Sequence, residues 1–197
     1  MKLKRLIGGN LESNGYIVYN KEGGEGYIID PGYNAKAFLT ELTRLGISVR
    51  AILLTHHHYD HVSAADKVAS ALDCPILLHR GDWGMYKGKA TGALEEGDSL
   101  PFGDEALQVI HTPGHTEGGV CLACETSKAV FTGDTVFNVD LGRTDLSDGS
   151  DDAMADSIRN VVSKWGNDIT IYPGHGDSAT MKYVREHNEE YRQFGGE

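Results

Sequence analysis

Short apolar runs alternate with turns along most of the chain, and a few longer segments repeat apolar residues at helical spacing. Runs of this length, bounded by Gly, Pro, Asn or Asp, are typical of strands. Spacings of three and four residues predict helices. The predicted strands lie at 3–7, 16–19, 27–30, 51–54, 76–79, 107–111, 119–123, 129–132 and 169–172.

The helical stripes begin at Phe38, Val62 and Met154, and a polar helix is predicted at 178–194. Strands punctuated by three or four helices favour an α+β fold, in which helices cover sheets. The stripes consist of Phe38, Leu42 and Leu45, ended by Gly46; Val62, Ala65, Ala69 and Leu72; and Met154, Ile158, Val161 and Trp165.

Between the strand at 51–54 and the helix from Val62, the segment 55–61 reads Thr-His-His-His-Tyr-Asp-His. It therefore lies at a strand end, on a loop that leads into a helix. In α/β architectures binding and catalytic groups collect at such places.

The side chains of this segment are of metal-ligand types. His56 and His58 are two positions apart, so on an extended segment both point to one side. Asp60 and His61 follow once the chain has turned, and they can face a second point nearby. Imidazole with carboxylate suits zinc, iron, manganese or nickel, and the lack of Cys disfavours a purely structural zinc site. The alternative is a polar loop that is merely rich in His.

Three later strands each end in a Gly-containing turn that carries one further potential ligand. These ligands are His115 in Thr-Pro-Gly-His-Thr, Asp134 in Thr-Gly-Asp-Thr and His175 in Gly-His-Gly. Glycine lets the backbone fold tightly and approach a site closely. The repetition, added to the His cluster, predicts a metal centre.

Composition narrows the class of protein. The 197 residues are 40% hydrophobic and 24% charged, as in ordinary globular proteins. A net charge of −11 disfavours nucleic acid as a partner. No apolar stretch approaches the ~20 residues of a membrane span, and the basic N-terminus is too short for a signal peptide. Three Cys, an odd count, favour a reducing, cytoplasmic location.

The motifs together make the chain resemble the metallo-β-lactamase superfamily, and most of all its small glyoxalase II-like hydrolases. Thr-His-x-His-x-Asp-His and the three later motifs are complete, and Gly-Arg-Thr-Asp at 142–145 is a further match. The resemblance implies a four-layer αββα sandwich with the site at one edge of both sheets. It also implies two divalent ions, zinc first, with iron or manganese as alternatives. One ion would be held by His56, His58 and His115, the other by Asp60, His61 and His175, with Asp134 bridging them.

The resemblance covers nearly the whole chain, so we expect residues 1–197 to form a single domain. Glyoxalase II continues past its last metal-binding His into a helical region that grips glutathione. Only 22 residues (197 − 175) follow His175 in this sequence. We therefore expect thioester chemistry without tight recognition of glutathione.

The implied reaction is hydrolysis of a thioester resembling S-lactoylglutathione by a hydroxide that bridges the two ions. Metal binding lowers the pKa of water towards ~7. Asp60 is the carboxylate best placed to orient the nucleophile and take its proton. A thiolate, with a pKa near ~8.5, can leave without a general acid. Arg143 could bind a substrate carboxylate or phosphate, or could equally pair with Asp145 or Asp148.

Other functions stay open on the same framework. A persulfide dioxygenase would use one iron, held by His56, His115 and Asp134. A lactonase or another ester hydrolase of the same superfamily is a further alternative. A non-catalytic chain would only bind metal or a partner. The complete second set favours the hydrolase, and the oligomeric state is not indicated.

Several remaining residues have simpler predicted roles. His57 alternates away from its neighbours and is expected not to be a ligand. Cys121 and Cys124 face opposite sides of a strand, which disfavours a shared zinc or redox role. The segment 83–89 is either an ordinary surface loop or a flap over the substrate. Structural or exposed positions are expected for His79, His111 and His187.

Overall fold

Two six-stranded mixed sheets form the centre of a computed structural model that describes residues 1–196. The first sheet is antiparallel over its first three strands and parallel over the rest. Its spatial order is β1 (Lys2–Gly8), β2 (Ser13–Tyr19), β3 (Glu25–Ile29), β4 (Ser48–Leu54), β5 (Ile76–His79) and β6 (Gly92–Leu94).

The second sheet is antiparallel except for one parallel pair near its end. In spatial order it contains β7 (Ser99–Phe102), β8 (Glu105–His111), β9 (Val120–Cys124), β10 (Ala129–Gly133), β11 (Thr170–Pro173) and β12 (Ala179–Thr180). The helices are α1 (Ala35–Leu45), α2 (Tyr59–Val62), α3 (Ala65–Leu72), α4 (Asp151–Asn160), α5 (Met181–His187) and α6 (Glu189–Gln193).

The strands of the first sheet bury both faces, because successive side chains point to opposite sides. Ile17 and Ile52 pack on one face against Phe38 of α1 and against α3. Val18 and Leu53 pack on the other face against the second sheet. The outer face of the second sheet is covered by α4, α5 and α6. The predicted four-layer αββα arrangement of this α+β fold is thus confirmed.

Strand ends converge on one edge, where hydrogen bonds join the two sheets. The hydroxyl of Tyr16 on β2 donates to the carbonyl of Pro173 on β11 at 2.7 Å. The backbone N–H of Asn14 donates to Gly174 at 2.7 Å, and that of Val120 donates to Thr55 at 2.9 Å. The segments that follow β4, β8, β10 and β11 are therefore held beside one another.

Of the first two predicted helices, one is present as predicted and the other is divided in two. The helix that begins near Phe38 is confirmed: Gly46 ends it in the left-handed region at φ 67°. The predicted stripe from Val62 is wrong in its extent, because two helices, α2 and α3, divide it. The break falls at Ser63 and Ala64, where the N–H of Ala64 donates to Pro31 at 3.0 Å.

The stripe from Met154 to Trp165 is also shorter than predicted. Helix α4 ends at Asn160, and a 3-10 turn, Val162–Lys164, follows. Val162 is buried in place of Val161, which is only half-buried. Strands β6, β7 and β12 were not predicted, because they have only two to four residues and lack a clear period.

The predicted polar helix at 178–194 is divided by Asn188, which lies in extended backbone between α5 and α6. Its side chain is fully buried and accepts a hydrogen bond from the N–H of Tyr191 at 2.8 Å. It also donates to the carbonyls of Phe137 and Asp140 at 3.2 and 2.7 Å. These hydrogen bonds stabilise the interruption more than a continuous helix would, because leaving buried polar groups unpaired costs free energy.

Within residues 1–196, none of the helices has the length and apolar character that a membrane span requires. The three cysteines, Cys74, Cys121 and Cys124, are free thiols.

The Asn188→Ala variant should lower the free energy of unfolding by about 2 kcal/mol, since it removes a helix cap and the amide's hydrogen bonds to two loop carbonyls. Urea denaturation followed by circular dichroism measures the change. Gln193→Ala is the control, because Gln193 is exposed and its hydrogen bond to Glu189 is long, at 3.5 Å. This variant should change the free energy of unfolding by less than about 0.5 kcal/mol. Equal effects would contradict the anchoring role of Asn188.

Candidate metal centre

The His cluster after β4 meets the turn after β8 and forms a first group of imidazoles. The Nδ1 atom of His58 lies 2.8 Å from Nε2 of His115. The ring of His56 is 4.8 Å from that of His58 and 4.9 Å from that of His115, centre to centre. Nitrogens of the three rings lie within 4.8 Å of one another, which is close enough for one ion to contact all three.

A second group forms where the first turn of α2 faces the turn after β11. The Nε2 atom of His175 lies 3.2 Å from Oδ2 of Asp60 and 3.2 Å from Nε2 of His61. Asp60 and His61 belong to α2 rather than to an irregular loop. Both side chains reach His175 from this short helix, and Nε2 of His61 lies 3.4 Å from Oδ2 of Asp60.

Asp134, directly after β10, lies between the two groups. Its carboxylate is 3.5 Å from Nε2 of His115 on one side. On the other side it is 3.4 Å from His61 and 3.5 Å from His175. The structure therefore brings together all seven residues predicted to be ligands, with Asp134 in the central position. Their role as metal ligands remains a prediction.

Four of the five imidazoles have their outward nitrogen, Nδ1, held by a neighbour. His56 contacts the hydroxyl of Thr55 at 3.0 Å, and His61 contacts Asp30 at 3.2 Å. Backbone carbonyls hold the other two rings: Arg143 O lies 2.7 Å from His115, and Leu11 O lies 3.0 Å from His175. Such contacts fix the ring and leave the inward nitrogen, Nε2, free for a cation.

Asp30 is the main supporting residue that sequence reasoning missed. Its carboxylate accepts hydrogen bonds from the N–H of Thr55 at 2.7 Å and from its hydroxyl at 2.6 Å, besides contacting His61. Asp30 is buried and has φ 47°, an uncommon conformation for a residue other than glycine. A carboxylate closing the apolar strand at 27–30 was the available signal.

Burial and charge divide the imidazoles into two kinds. Burial, reinforced by neighbouring rings, lowers the pKa of His56 well below its usual value and that of His58 to about 4. Burial acts in the same direction on His61, but Asp134 and Asp30 reverse it and raise its pKa well above the usual value. His56 and His58 are therefore neutral, whereas His61 and His175 form a network of imidazolium and carboxylate whose protons a metal ion would replace.

Asp60 carries a negative charge at neutral pH. Burial favours its neutral form, but hydrogen bonds from His175 and His61 lower its pKa below the usual range. The carboxylate is thus available as an anionic ligand or as a hydrogen-bond acceptor.

The donor set fits a metal centre on an observation independent of motifs. His56 Nε2 and Asp134 Oδ1 are buried, and neither has a hydrogen-bond partner within residues 1–196. Buried polar atoms without partners are rare in folded proteins and call for an explanation such as an ion. Imidazole and carboxylate donors suit zinc and iron, and all of the donors are oxygen or nitrogen.

Gly174 is required where the turn after β11 passes the centre. A Cβ atom at this position would lie 2.1 Å from Oδ1 of Asp134 and 2.6 Å from Cε1 of His61. No side chain fits there without displacing these two residues. The close approach predicted for the Gly-containing turns is therefore present at Gly174.

A cavity of about 610 Å³ opens above the donor groups. Its floor contains His58, Asp60, His115, Asp134 and His175. The remaining lining is Leu11, Tyr59, Phe137, Asn138, Val139, Asp140, Gly142, Arg143, Leu146 and Gly176.

Arg143 lines this cavity, but its guanidinium forms a bidentate pair with Asp145. The Nε and Nη2 atoms donate at 2.6 and 2.8 Å to the two carboxylate oxygens. Of the two partners considered from the sequence, Asp145 is therefore the one found. The role of Arg143 in substrate binding remains a prediction, while its backbone carbonyl holds His115.

The ring of His57 lies 4.7 Å from that of His58, centre to centre, but two carboxylates outside the seven predicted ligands hold its nitrogens. Its Nδ1 atom contacts Asp82 at 3.0 Å, and its Nε2 atom lies 3.5 Å from Asp148. Asp82 also accepts hydrogen bonds from Thr116 and from the N–H of Gly118, so it joins the His cluster to the turn after β8. No sequence pattern indicated this buried carboxylate.

The other secondary residues also have evident surroundings. The rings of His79 and His111 stack at 4.1 Å, and His187 stacks on Tyr183 at 4.0 Å. Buried Cys121 contacts Thr112, whereas Cys124 packs between the sheets. The segment 83–89 is attached at Trp83, whose Nε1 donates to Leu78 O at 2.9 Å, and at Lys89, whose N–H donates to Asp66 at 3.0 Å.

Comparison with known proteins agrees with this architecture. The family model described as Metallo-beta-lactamase superfamily matches residues 8–176. The chain is 30% identical to "Probable metallo-hydrolase YqgX" of Bacillus subtilis (strain 168), over 95% of this chain and 96% of that protein. The chain therefore belongs to the metallo-β-lactamase superfamily.

Solved structures give the same assignment. The crystal structure of BLEG-1 B3 metallo-beta-lactamase has a TM-score of 0.89 at 30% identity and covers 95% of this chain and 98% of its own. That of TTHA1623 in a di-iron-bound form has a TM-score of 0.85 at 31% identity, with coverage of 94% and 98%. The chain thus has the metallo-β-lactamase fold of a metal-dependent hydrolase superfamily.

The Asp134→Asn variant should lose more metal than any change outside the centre, because Asp134 contacts both donor groups. Elemental analysis after reconstitution should give about two ions per chain for the natural protein and fewer than about one for the variant. Asp177→Asn is the control, since Asp177 is exposed and pairs with Arg5; it should bind metal like the natural protein. Unchanged metal content in Asp134→Asn would refute the bridging assignment.

Proposed function

We propose that the protein is a binuclear metallohydrolase that cleaves thioesters, in the manner of glyoxalase II. The observation that carries this proposal is the central position of Asp134, between two complete donor groups that open into one cavity. A site built for one ion would not need the second group. Membership in the metallo-β-lactamase superfamily also supports hydrolysis as the reaction.

Each of the two donor groups would hold one of the two ions. One ion would be held by the three imidazoles of the first group, and the other by the three residues of the second group. Asp134 would contribute to both. Zinc is the first choice, with iron or manganese as alternatives. When bound, two divalent ions would polarise a carbonyl and lower the pKa of water towards ~7.

Asp60 is the proposed catalytic residue. Its carboxylate lines the cavity floor, where it would accept a hydrogen bond from the attacking water and then its proton. Its partners, His61 and His175, fix the direction of the carboxylate. The chain thereby supplies both orientation and a proton acceptor.

Thioester hydrolysis suits the polar groups at the cavity floor. The carbonyl carbon gains a bond to the oxygen of water and loses its bond to sulfur, and the thiolate takes a proton from solvent. Because a thiol has a pKa near ~8.5, the thiolate leaves without a positioned acid. An amine or alkoxide leaving group would need such an acid, and no other side chain is proposed for this role.

The decisive experiment is a substrate panel at measured metal content. The natural protein, reconstituted to about two ions per chain, should hydrolyse small thioesters faster than lactones, phosphodiesters or a β-lactam. The Asp60→Asn variant should lower kcat on thioesters by about 10²- to 10⁴-fold, the range of lost acid–base catalysis. The β-lactam is included because the structurally similar protein BLEG-1 is described as a B3 metallo-beta-lactamase.

The panel also distinguishes the alternatives. Oxygen uptake on a persulfide at one iron per chain would replace the hydrolase with a dioxygenase. A lactone or β-lactam turned over faster than every thioester would replace the thioester proposal within the same family. Asp168→Asn serves as the control variant, because Asp168 is exposed and pairs with Lys128 away from the donors; it should retain the natural rate.

Arg143 is proposed to bind an anionic thiol carrier, in competition with Asp145. Arg143→Ala should then raise KM for an anionic thioester about two- to fivefold, as expected for an exposed ion pair, with a smaller change in kcat. Asp145→Asn should lower that KM, since it releases the guanidinium. Steady-state kinetics at low and high salt on an anionic and a neutral carrier measure both effects. A loss of kcat on both carriers would assign Arg143 to the catalytic centre or the fold instead.

A further inference from the structure

We propose that the substrate carries a hydrocarbon group next to the scissile bond, and that an apolar wall of the cavity selects it. The apolar wall consists of Leu11, Tyr59, Phe137, Val139 and Leu146. This inference rests on the proposed function and specifies the substrate class of the same site.

Exposed apolar side chains are concentrated at this cavity. Among residues 1–196 eight large apolar side chains are exposed, and four of them line it. Val139 is 46% exposed and Leu11 50% exposed. Single exposed apolar residues are ordinary, but a group of them around one concave site marks a place where ligand surface is buried. The four are Leu11, Tyr59, Val139 and Leu146.

The apolar wall is continuous with the predicted catalytic floor. The same cavity of about 610 Å³ is lined by His115 and His175 below and by Leu146 and Leu11 above. This volume lies within the ~300–1,000 Å³ of small-molecule sites. A bond held over the donors therefore has its substituents against hydrocarbon.

One side of the apolar wall is fixed before any ligand arrives. Residues Val136 and Leu141 form a β-bridge, and the N–H of Phe137 donates to Asp140 at 3.0 Å. Asn188 holds the carbonyls of Phe137 and Asp140 from beneath. A side of the cavity ordered in this way binds an apolar group without a further entropic cost of ordering.

Charges around the upper cavity give little reason for an anion to lie against this wall. Asp140 adds a carboxylate there. Arg143 is the cation of the lining, and its guanidinium is already engaged by Asp145. This exposed ion pair is available to bind an anionic thiol carrier, whereas the apolar wall contacts the hydrocarbon group.

The hydrocarbon can belong to the acyl group or to the thiol, so two substrate series are needed. In the first, acetyl, butanoyl and hexanoyl groups are attached to one neutral thiol. In the second, acetyl is attached to ethanethiol, butanethiol and hexanethiol. In one series kcat/KM should rise by about two- to fourfold per methylene, the value of burying hydrocarbon. The series that rises identifies the side.

Variants of the apolar wall test the source of this preference. Val139→Asn and Leu146→Asn should each lower the ratio of kcat/KM for the longest to the shortest substrate by at least about fivefold, because the added chain loses its apolar contacts. Ile7→Asn is the matched control: Ile7 is 55% exposed on β1 and does not line this cavity. It should keep the natural ratio and the natural activity.

Binding can be measured without turnover. In zinc-loaded protein, 1-hexanol should shift the methyl NMR signals of Leu11, Val139 and Leu146, whereas 1-propanol at equal concentration should shift them less and Ile7 should not respond. Thioester turnover that is flat in both series would overturn the inference but keep the proposed function. Absence of turnover at full metal content would overturn the proposed function, and the hexanol shifts would then decide the binding of hydrocarbon alone.

Discussion

Hydrogen bonds between the two sheets at their common edge are the constraint on which the centre depends. The bonds from Tyr16 to Pro173 and from Asn14 to Gly174 tie a strand of the first sheet to the end of a strand in the second. The donors come from four separate strand ends, and neither donor group is complete on one segment. Sheet packing brings Asp134 within 3.5 Å of histidines that are distant in sequence.

The cost of gathering these polar groups is reduced by neighbours outside the donor set. Asp30 accepts three contacts and holds both Thr55 and His61 in place. Backbone carbonyls of Leu11 and Arg143 do the same for His175 and His115. The rings therefore need little rearrangement to receive a cation, which is the physical meaning of a prepared site.

The sequence predicted those parts of the structure that depend on local pattern. Nine strands and helix α1 follow from hydrophobic period and from glycine chemistry, and the ligand candidates follow from residue type after each strand. Long-range demands could not be predicted in this way. Asn188 interrupts a helical pattern because a loop 48 to 51 residues earlier needs its amide. Asp82 supports the His cluster from a segment with no recognisable motif.

Arg143 shows the same limit within the site. Its place beside the donors was predicted, but the choice of Asp145 over Asp148 as its partner depends on side-chain directions that the local sequence pattern does not show. Even positions next to a ligand turn can therefore serve through their backbone, as the carbonyl of Arg143 does for His115.

The anchoring of the 136–141 loop by α5 and α6 has a consequence for the order of assembly. The first sheet is complete at residue 94, whereas the contacts that hold this loop come from Asn188 and Glu190. During synthesis on a ribosome, the strands that carry the His cluster emerge early, and the loop stays without its support until the last helix has left the exit tunnel. The predicted donor groups are complete only once His175 is present, 13 residues (188 − 175) before Asn188, so the donors and the loop that bounds the cavity take shape together, after the first sheet.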